Sequence, residues 1–288
     1  MNSGAIKEYR NPYGFEGEIT PRTVLRHAAL SLVTWAWRGL GQMNYWLGRN
    51  RIQFLYLHHL FPKDEAGFRR LLDYLSRTHQ LIGYSDAVQR LQRGAIDRPY
   101  VCLSFDDGLR QNLRAAAILQ EFGVTGCFFI CPGLVGETDP RRLKEICATR
   151  FSLPPLELLS WAEVERLARA GHEIGSHTMT HPVITHISAQ EVIAEIEQSY
   201  AILRRRLGTA RHFAWPEGRY QHFSAAAAHI VFDAGFQSCA SAERGCHVAP
   251  LPAPAEAPCL HRDYVSAHWP LEHVLYFLAR NSQVAATH

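Results

Sequence analysis

From Ile52 onward, short apolar runs alternate with segments of helical period. Ile52 to Leu57 (IQFLYL) reads as a buried strand ending at His58. Phe68, Leu71, Leu72 and Leu75 then keep the i, i+3, i+4, i+7 spacing of an amphipathic helix. Ser85 is read as the cap of a short helix stopping at Gly94. Tyr100 to Phe105 (YVCLSF) predicts a strand that runs straight into Asp106, Asp107 and Gly108. A helix over 112–122, closed by Gly123, leads to a strand over 124–131. Ser160 with Glu163, and Ser188 with Glu191, have the spacing of capping boxes for two more helices, the second stopped by Gly208. Brief strands are predicted at 172–175, 211–215 and 236–240, and a helix over 224–234. A last strand is expected over 259–265 and a C-terminal helix from Pro270.

Strands alternating with helices imply parallel pairing, because a parallel connection needs a crossover. The expectation is an α/β fold with a barrel-like sheet. Residues 1–50 form an N-terminal extension, partly helical, and 51–288 a single catalytic domain; the Pro/Ala-rich run 249–258 is a loop within it. Hydrophobic residues are 47% and charged residues 20% of 288, which excludes wholesale disorder. A net charge of +3 is too small to argue a nucleic-acid partner. No apolar run approaches the ~18 residues of a membrane span. The stretch 28–37, set between Arg26 and Arg38, reads as a helix packed on the domain, with membrane-surface contact as the other reading. The first residues lack the apolar region of a secretory signal, so a cytoplasmic location is expected. The seven cysteines include no CxxC pair; Cys239 and Cys246 are close enough to bridge, but free thiols are expected.

In parallel α/β sheets the C-terminal ends of strands face the reaction. That rule selects His58 and His59, Asp106 and Asp107, His177 and His181, and the loop at Pro216 to Gly218. Gly108 permits a tight exit turn that can bring both carboxylates into one pocket, one for a metal and one for a proton. His177 and His181 stand four apart, the spacing at which a helical turn offers two imidazoles to one ion. With Asp107 they make a His₂Asp set that leaves positions open for water and substrate.

Taken together, the runs LSFDDG (Leu103 to Gly108), SHTMTH (Ser176 to His181) and FAWPEG (Phe213 to Gly218) resemble those of the NodB-homology polysaccharide deacetylases, carbohydrate esterase family 4. The resemblance covers roughly residues 52 to 265. It implies a deformed (β/α) barrel that removes acetyl groups from N-acetylated sugars, using one divalent metal. Zinc is the expected ion, with cobalt or nickel as alternatives. By position, Asp106 is the base, Asp107, His177 and His181 hold the metal, and Trp215, Pro216 and Gly218 bind or shape the substrate.

The chain departs from the family's pattern in three places. Ala214 stands where the family often has a base-orienting arginine, leaving Arg262 or Arg219 as replacements. An Asp/Trp pair is absent from residues 235–247, and Leu260-His261 matches the C-terminal acid motif poorly. These departures are similar to an exopolysaccharide-deacetylase subgroup in which the acid histidine follows the first strand. That implies His58 as the acid, with His59 and His261 as alternatives. The other readings are a non-catalytic carbohydrate-binding barrel and a small-molecule C–N hydrolase outside sugar chemistry.

Overall fold

The computed structural model describes residues 21–285. Among these residues nine strands are present: β1 Arg51–Leu57, β2 Gln80–Leu81, β3 Pro99–Phe105, β4 Cys127–Ile130, β5 Glu173–Ser176, β6 His212–Ala214, β7 Ser238–Ala240, β8 Cys259–Leu260 and β9 Arg262–Tyr264. They pair in the order β8-β7-β6-β5-β4-β3-β1-β9, with β2 added beside β3. Every pairing is parallel. The two edge strands β8 and β9 are separated in the chain by His261 alone. The ends of the sheet are therefore held together covalently, and it curls into a nearly closed eight-strand barrel with helices around it. The single strand expected over 259–265 is corrected to two. The chain leaves β7 after Leu260 and joins β1 from Arg262, so the ladder breaks at His261.

Side-chain alternation sorts the strands into two cores. Ile52, Phe54, Tyr100, Cys102, Phe129, Ala214, Ala240 and Leu260 fill the barrel, together with Tyr84 and Leu91 of the helix Tyr84–Arg93. Leu55, Leu57, Leu103, Phe105, Phe128 and Phe213 point the other way, into the larger cluster beneath the surrounding helices. Gly175 marks a tight point inside. A Cβ there would lie 2.4 Å from the Phe129 ring and 3.0 Å from the His212 carbonyl oxygen.

Both capping boxes form as read, at Ser160/Glu163 and Ser188/Glu191, and Gly208 ends its helix at φ 74°. Ser85 is a correction, because the helix it was assigned to starts after Gly83 without a side-chain cap. Its hydroxyl instead donates to Glu173 and lies 2.8 Å from His212 Nε2. A helix over Pro140–Thr149, capped by Asp139, was not anticipated. The cysteines are free thiols, and Cys239 lies beside Cys259 at 3.9 Å rather than being bridged to Cys246.

The first 20 residues of the expected extension lie outside the described residues. The part that follows is helical, Pro21–Gly39 and Gln42–Leu47, and packs on the C-terminal helix Leu271–Asn281 through Trp37 against Tyr276 at 5.1 Å. No helix among the described residues is long and apolar enough to cross a membrane.

Glu173 ties β5 to β6 through His212, Nε2 to Oε2 3.1 Å, and to Ser85. Burial acts to raise its pKa, but the His212 hydrogen bond and charge and the Ser85 bonds hold it down, from 4.5 to about 2. A depressed carboxylate contributes stability that is full above pH 4.5 and lost as pH falls through about 2. Glu173→Gln should cost on the order of 2 kcal/mol near pH 7. In urea unfolding, that gap between wild type and variant should shrink steadily below about pH 4.5; a gap independent of pH would contradict the assignment.

Candidate active site

The alternation that fills the barrel continues past the strand ends. His58 follows Phe54 and Tyr56, Asp106 follows Cys102 and Ser104, and Arg262 follows Leu260. All three line one cavity of about 170 Å³. Asp107 has the opposite parity and would point to the helix side of an extended chain. Its φ of 71°, with Gly108 at 66°, turns it inward instead. Both carboxylates thus reach the same pocket through the exit turn that the motif requires.

His177 follows β5 directly. Its Nδ1 donates to the Ala214 carbonyl oxygen at 2.8 Å, so Nε2 is the nitrogen left for a metal. His181 does not arrive on a helical turn, as its spacing implied. The segment is an irregular turn with Thr178 at φ 62° and His181 at 61°. The Thr178 hydroxyl fixes it by donating to the His177 carbonyl at 2.6 Å and accepting from the His181 amide at 3.0 Å. Asp107 Oδ1 lies 3.6 Å from His177 Nε2 and 3.3 Å from His181 Nε2. All three residues are buried, and one ligand atom from each falls within 4.8 Å of the others.

The electrostatics suit a cation. Burial alone would raise the Asp107 pKa, yet the His181 hydrogen bond and the charges of His58, His181 and His177 hold it well below the usual carboxylate range. Burial lowers His177 to about 4, so it presents a neutral imidazole near neutral pH.

Arg262 meets Asp106 in a two-pronged pair, Nη1 to Oδ1 2.9 Å and Nη2 to Oδ2 2.9 Å. Its Nε donates to the Ser241 carbonyl at 2.9 Å, and its guanidinium lies over the Tyr56 ring at 4.5 Å. Of the two replacements considered for the missing loop arginine, Arg262 is the one that meets Asp106. Arg219 is half-exposed and pairs with Glu243 at 3.0 Å.

The three histidines considered as acid separate as cleanly. His58 lines the cavity, with Tyr56 and Tyr264 at ring distances of 5.5 and 5.3 Å, and its buried Nδ1 has no hydrogen-bond partner among the described residues. His59 has the opposite parity and packs on Phe61 at 4.6 Å, away from the cavity lining. His261 also points away; its Nε2 meets the Tyr220 hydroxyl at 2.6 Å and its Nδ1 the Arg244 carbonyl at 3.2 Å.

Among the loop residues, Trp215 is a partial correction. It lines the cavity but is 1% exposed, stacked on Phe223 at 4.9 Å and 7°, so it forms a wall rather than an open platform. Pro216 and Gly218 do not line the cavity. Gly218 sits at φ 64°, where a Cβ would come 2.6 Å from the Ala242 amide nitrogen, so the pair shapes the loop. Between them Glu217, at φ 58°, reaches the cavity. Tyr56, Phe151 and Ala242 are lining residues that motif reasoning missed; inward parity from Phe54 would have found Tyr56.

The sequence profile of the polysaccharide deacetylase family matches residues 93–237. This chain belongs to that family. The matched segment contains Asp106, Asp107, His177, His181 and the 215–218 loop, whereas His58 and Arg262 lie on either side of it. The fold is shared with IcaB from Ammonifex degensii, at 20% identity and a TM-score of 0.61, covering 80% of this chain and 98% of that one. It is shared also with the deacetylase PplD of Streptococcus pyogenes, at 16% identity and a TM-score of 0.62, covering 79% and 98%. A de-N-acetylase of Aggregatibacter actinomycetemcomitans matches with a TM-score of 0.60 and 16% identity, covering 79% and 99%. The NodB-type barrel expected from the motifs is therefore the fold observed.

Removing Arg262 would leave the Asp106 carboxylate buried without its countercharge. Arg262→Ala should lose about 3–5 kcal/mol in urea unfolding. Arg262→Lys should recover only part of that loss, because an ammonium cannot match both carboxylate oxygens. Equal stability of wild type and Arg262→Ala would show that the pair is not what holds Asp106.

Proposed function

We propose that this protein hydrolyses the N-acetyl group of an N-acetylated sugar or polysaccharide, with one divalent metal, zinc by preference, held by Asp107, His177 and His181. The observation that carries this reading is the meeting of that ligand set with Asp106 and His58 in a single small cavity. The donors fit a borderline cation, since two imidazoles and one carboxylate leave coordination positions for water and substrate. The metal would polarise the acetyl carbonyl and make water a better nucleophile near neutral pH.

The protein's own groups handle the protons. Asp106, fixed by the Arg262 fork, accepts a proton from the attacking water as oxygen adds to the acetyl carbon. His58 then donates a proton to the amide nitrogen as the C–N bond breaks. Acetate and a free amine leave. Without that donation the leaving group would be an amide anion, which is why an acid is needed at this point. Trp215, Phe151 and Tyr56 wall the cavity and limit water's access to it. A carbohydrate-binding barrel without catalysis has no use for a buried base and its orienting arginine, and family membership favours the enzyme. A C–N hydrolase of small non-sugar substrates is separated by the substrate panel below.

Metal analysis should find about one divalent ion per chain, absent from a His177→Ala/His181→Ala double variant. Acetate release should be tested on chito-oligomers, poly-N-acetylglucosamine, nucleotide sugars and lipid-linked sugars, and should stop on chelation. Asp106→Asn should keep the metal and lose turnover. His58→Ala should keep the metal and lose at least ~10²-fold in kcat, with His261→Ala much closer to wild type. The reverse order for the two histidines would return the acid role to His261.

A further inference from the structure

Nine large apolar side chains are exposed among the described residues, and six of them cluster between positions 25 and 45. Leu32 is 68% and Trp35 76% exposed, both on the helix Pro21–Gly39. An ordinary surface helix buries its apolar side and shows water its polar one. This helix buries little of its apolar content. Its inner side carries Trp37 on Tyr276, half-buried Leu30 and buried Thr34, with Ser31 Oγ 3.0 Å from His273 Nε2 and Arg38 3.8 Å from Glu272 at the margin. Its outer side repeats Leu25, Ala28, Ala29, Leu32 and Ala36 at i, i+3, i+4, i+7 and i+11, all exposed and all apolar.

The charge around this face is mostly positive. Residues 21 to 63 contain five arginines, of which Arg51 is buried, one lysine and no Asp or Glu, and Glu272 beside Arg38 is the nearby acid. Beside the helix a groove of about 520 Å³ runs from Val33 to Tyr264, Trp269 and Phe277 and carries Arg244 and Arg280. Both arginines are exposed, and neither is in an ion pair among the described residues. A protein interface is on average little more apolar than the rest of a surface and needs polar complements. An unbroken apolar stripe with Trp, Tyr and arginines around it is instead the composition of a helix lying in a bilayer interface.

We infer that the outer face of this helix seats on an anionic lipid bilayer, with a lipid phosphate taken by Arg244 and Arg280 in the adjoining groove. The inference stands on surface residues and does not depend on the catalytic reading. It has a consequence for it, however. Tyr264 lines the groove, and its ring is 5.3 Å from that of His58, so the seated face lies next to the catalytic cavity.

The test is flotation of the full chain with vesicles of phosphatidylcholine, with and without phosphatidylglycerol. The wild type should float with the anionic vesicles and far less with the zwitterionic ones. Leu32→Glu/Trp35→Glu should reduce the bound fraction about a hundredfold, and Arg244→Ala/Arg280→Ala about tenfold with a weaker dependence on salt. Both should keep the wild-type melting temperature. Acetate release from a soluble chito-oligomer, measured alongside, separates the two readings: vesicle binding without acetate release would sink the catalytic proposal alone. Failure of the wild type to float, or equal flotation of the Leu32/Trp35 variant, would overturn the inference. So would a lower melting temperature in that variant, which would mean the chain's own residues 1–20 cover the face. Conversion of an oligomer to a monomer in light scattering would assign the face to a second copy and overturn it equally.

Discussion

The buried pair between Arg262 and Asp106 is the contact on which the site depends. Side chains of both residues are almost wholly removed from water, 1% and 3% exposed. Burying two charges is costly, and the fork repays that cost only because the remaining donors are also satisfied. Nε is taken by the Ser241 carbonyl and Nη1 also reaches Ser104 Oγ, while Tyr56 and Phe129 present their ring faces to the cation. Burial would lower the arginine's pKa, but the charge and hydrogen bonds of Asp106 more than reverse that effect. Arg262 belongs to β9 and Asp106 follows β3, with β1 between them. The guanidinium therefore ties β9 to the end of β3 across β1 and, through the Ser241 carbonyl, to the end of β7 on the other side of the gap between the sheet edges.

Around this pair the backbone is held in unfavourable conformations. Asp107, Thr178, His181 and Glu217 all have positive φ without being glycine, and all lie in or beside the cavity. Such residues cost on the order of 1–3 kcal/mol each and persist only where neighbours over-determine them. The neighbours are identifiable. Thr178 clasps its own turn, and Glu195 accepts from both the amide and the hydroxyl of Thr180 at 2.7 and 2.6 Å. What the strain achieves is direction. In extended chain Asp107 would point to the helix side and His181 would stand four residues beyond His177, and the turns bring three ligand atoms to one point.

Local chemistry made much of this readable from the chain. Strand runs, capping boxes and stop glycines act within a few residues, so the elements at Ile52–Leu57, Tyr100–Phe105 and Ser188–Gly208 were legible. The strand-end rule then delivered His58, Asp106, Asp107, His177 and His181. Features set by distant partners were not. Ser85 looks like a cap until β5 brings Glu173 to it across 88 residues. The break at His261 exists because two edges of the sheet compete for one segment, which no local pattern encodes. Helical spacing misdescribed His177 and His181, since the turn depends on Thr178 adopting a left-handed backbone. Trp215 reads as a sugar platform in isolation and becomes a wall once Phe223 stacks on it. The helix Pro21–Gly39 shows the converse: its composition was plain, but which side faces the protein required the C-terminal helix.

The position of Arg262 also accounts for Ala214. Residue 214 lies in the barrel-filling cluster with Phe129, whose ring supports the Arg262 guanidinium at 5.2 Å. Its carbonyl is already committed to His177 Nδ1. A second arginine entering from the loop would add a buried positive charge, with Asp106 already matched on both oxygens. A small residue at 214 and an arginine at 262 are thus one solution rather than two independent departures. The same parity separates two of the histidines. The next inward residue of β9 after Arg262 is Tyr264, level with Tyr56 in the β1 pairing. His261 is left facing outward by the parity that aims Arg262 inward, whereas His58, which follows β1, lines the cavity.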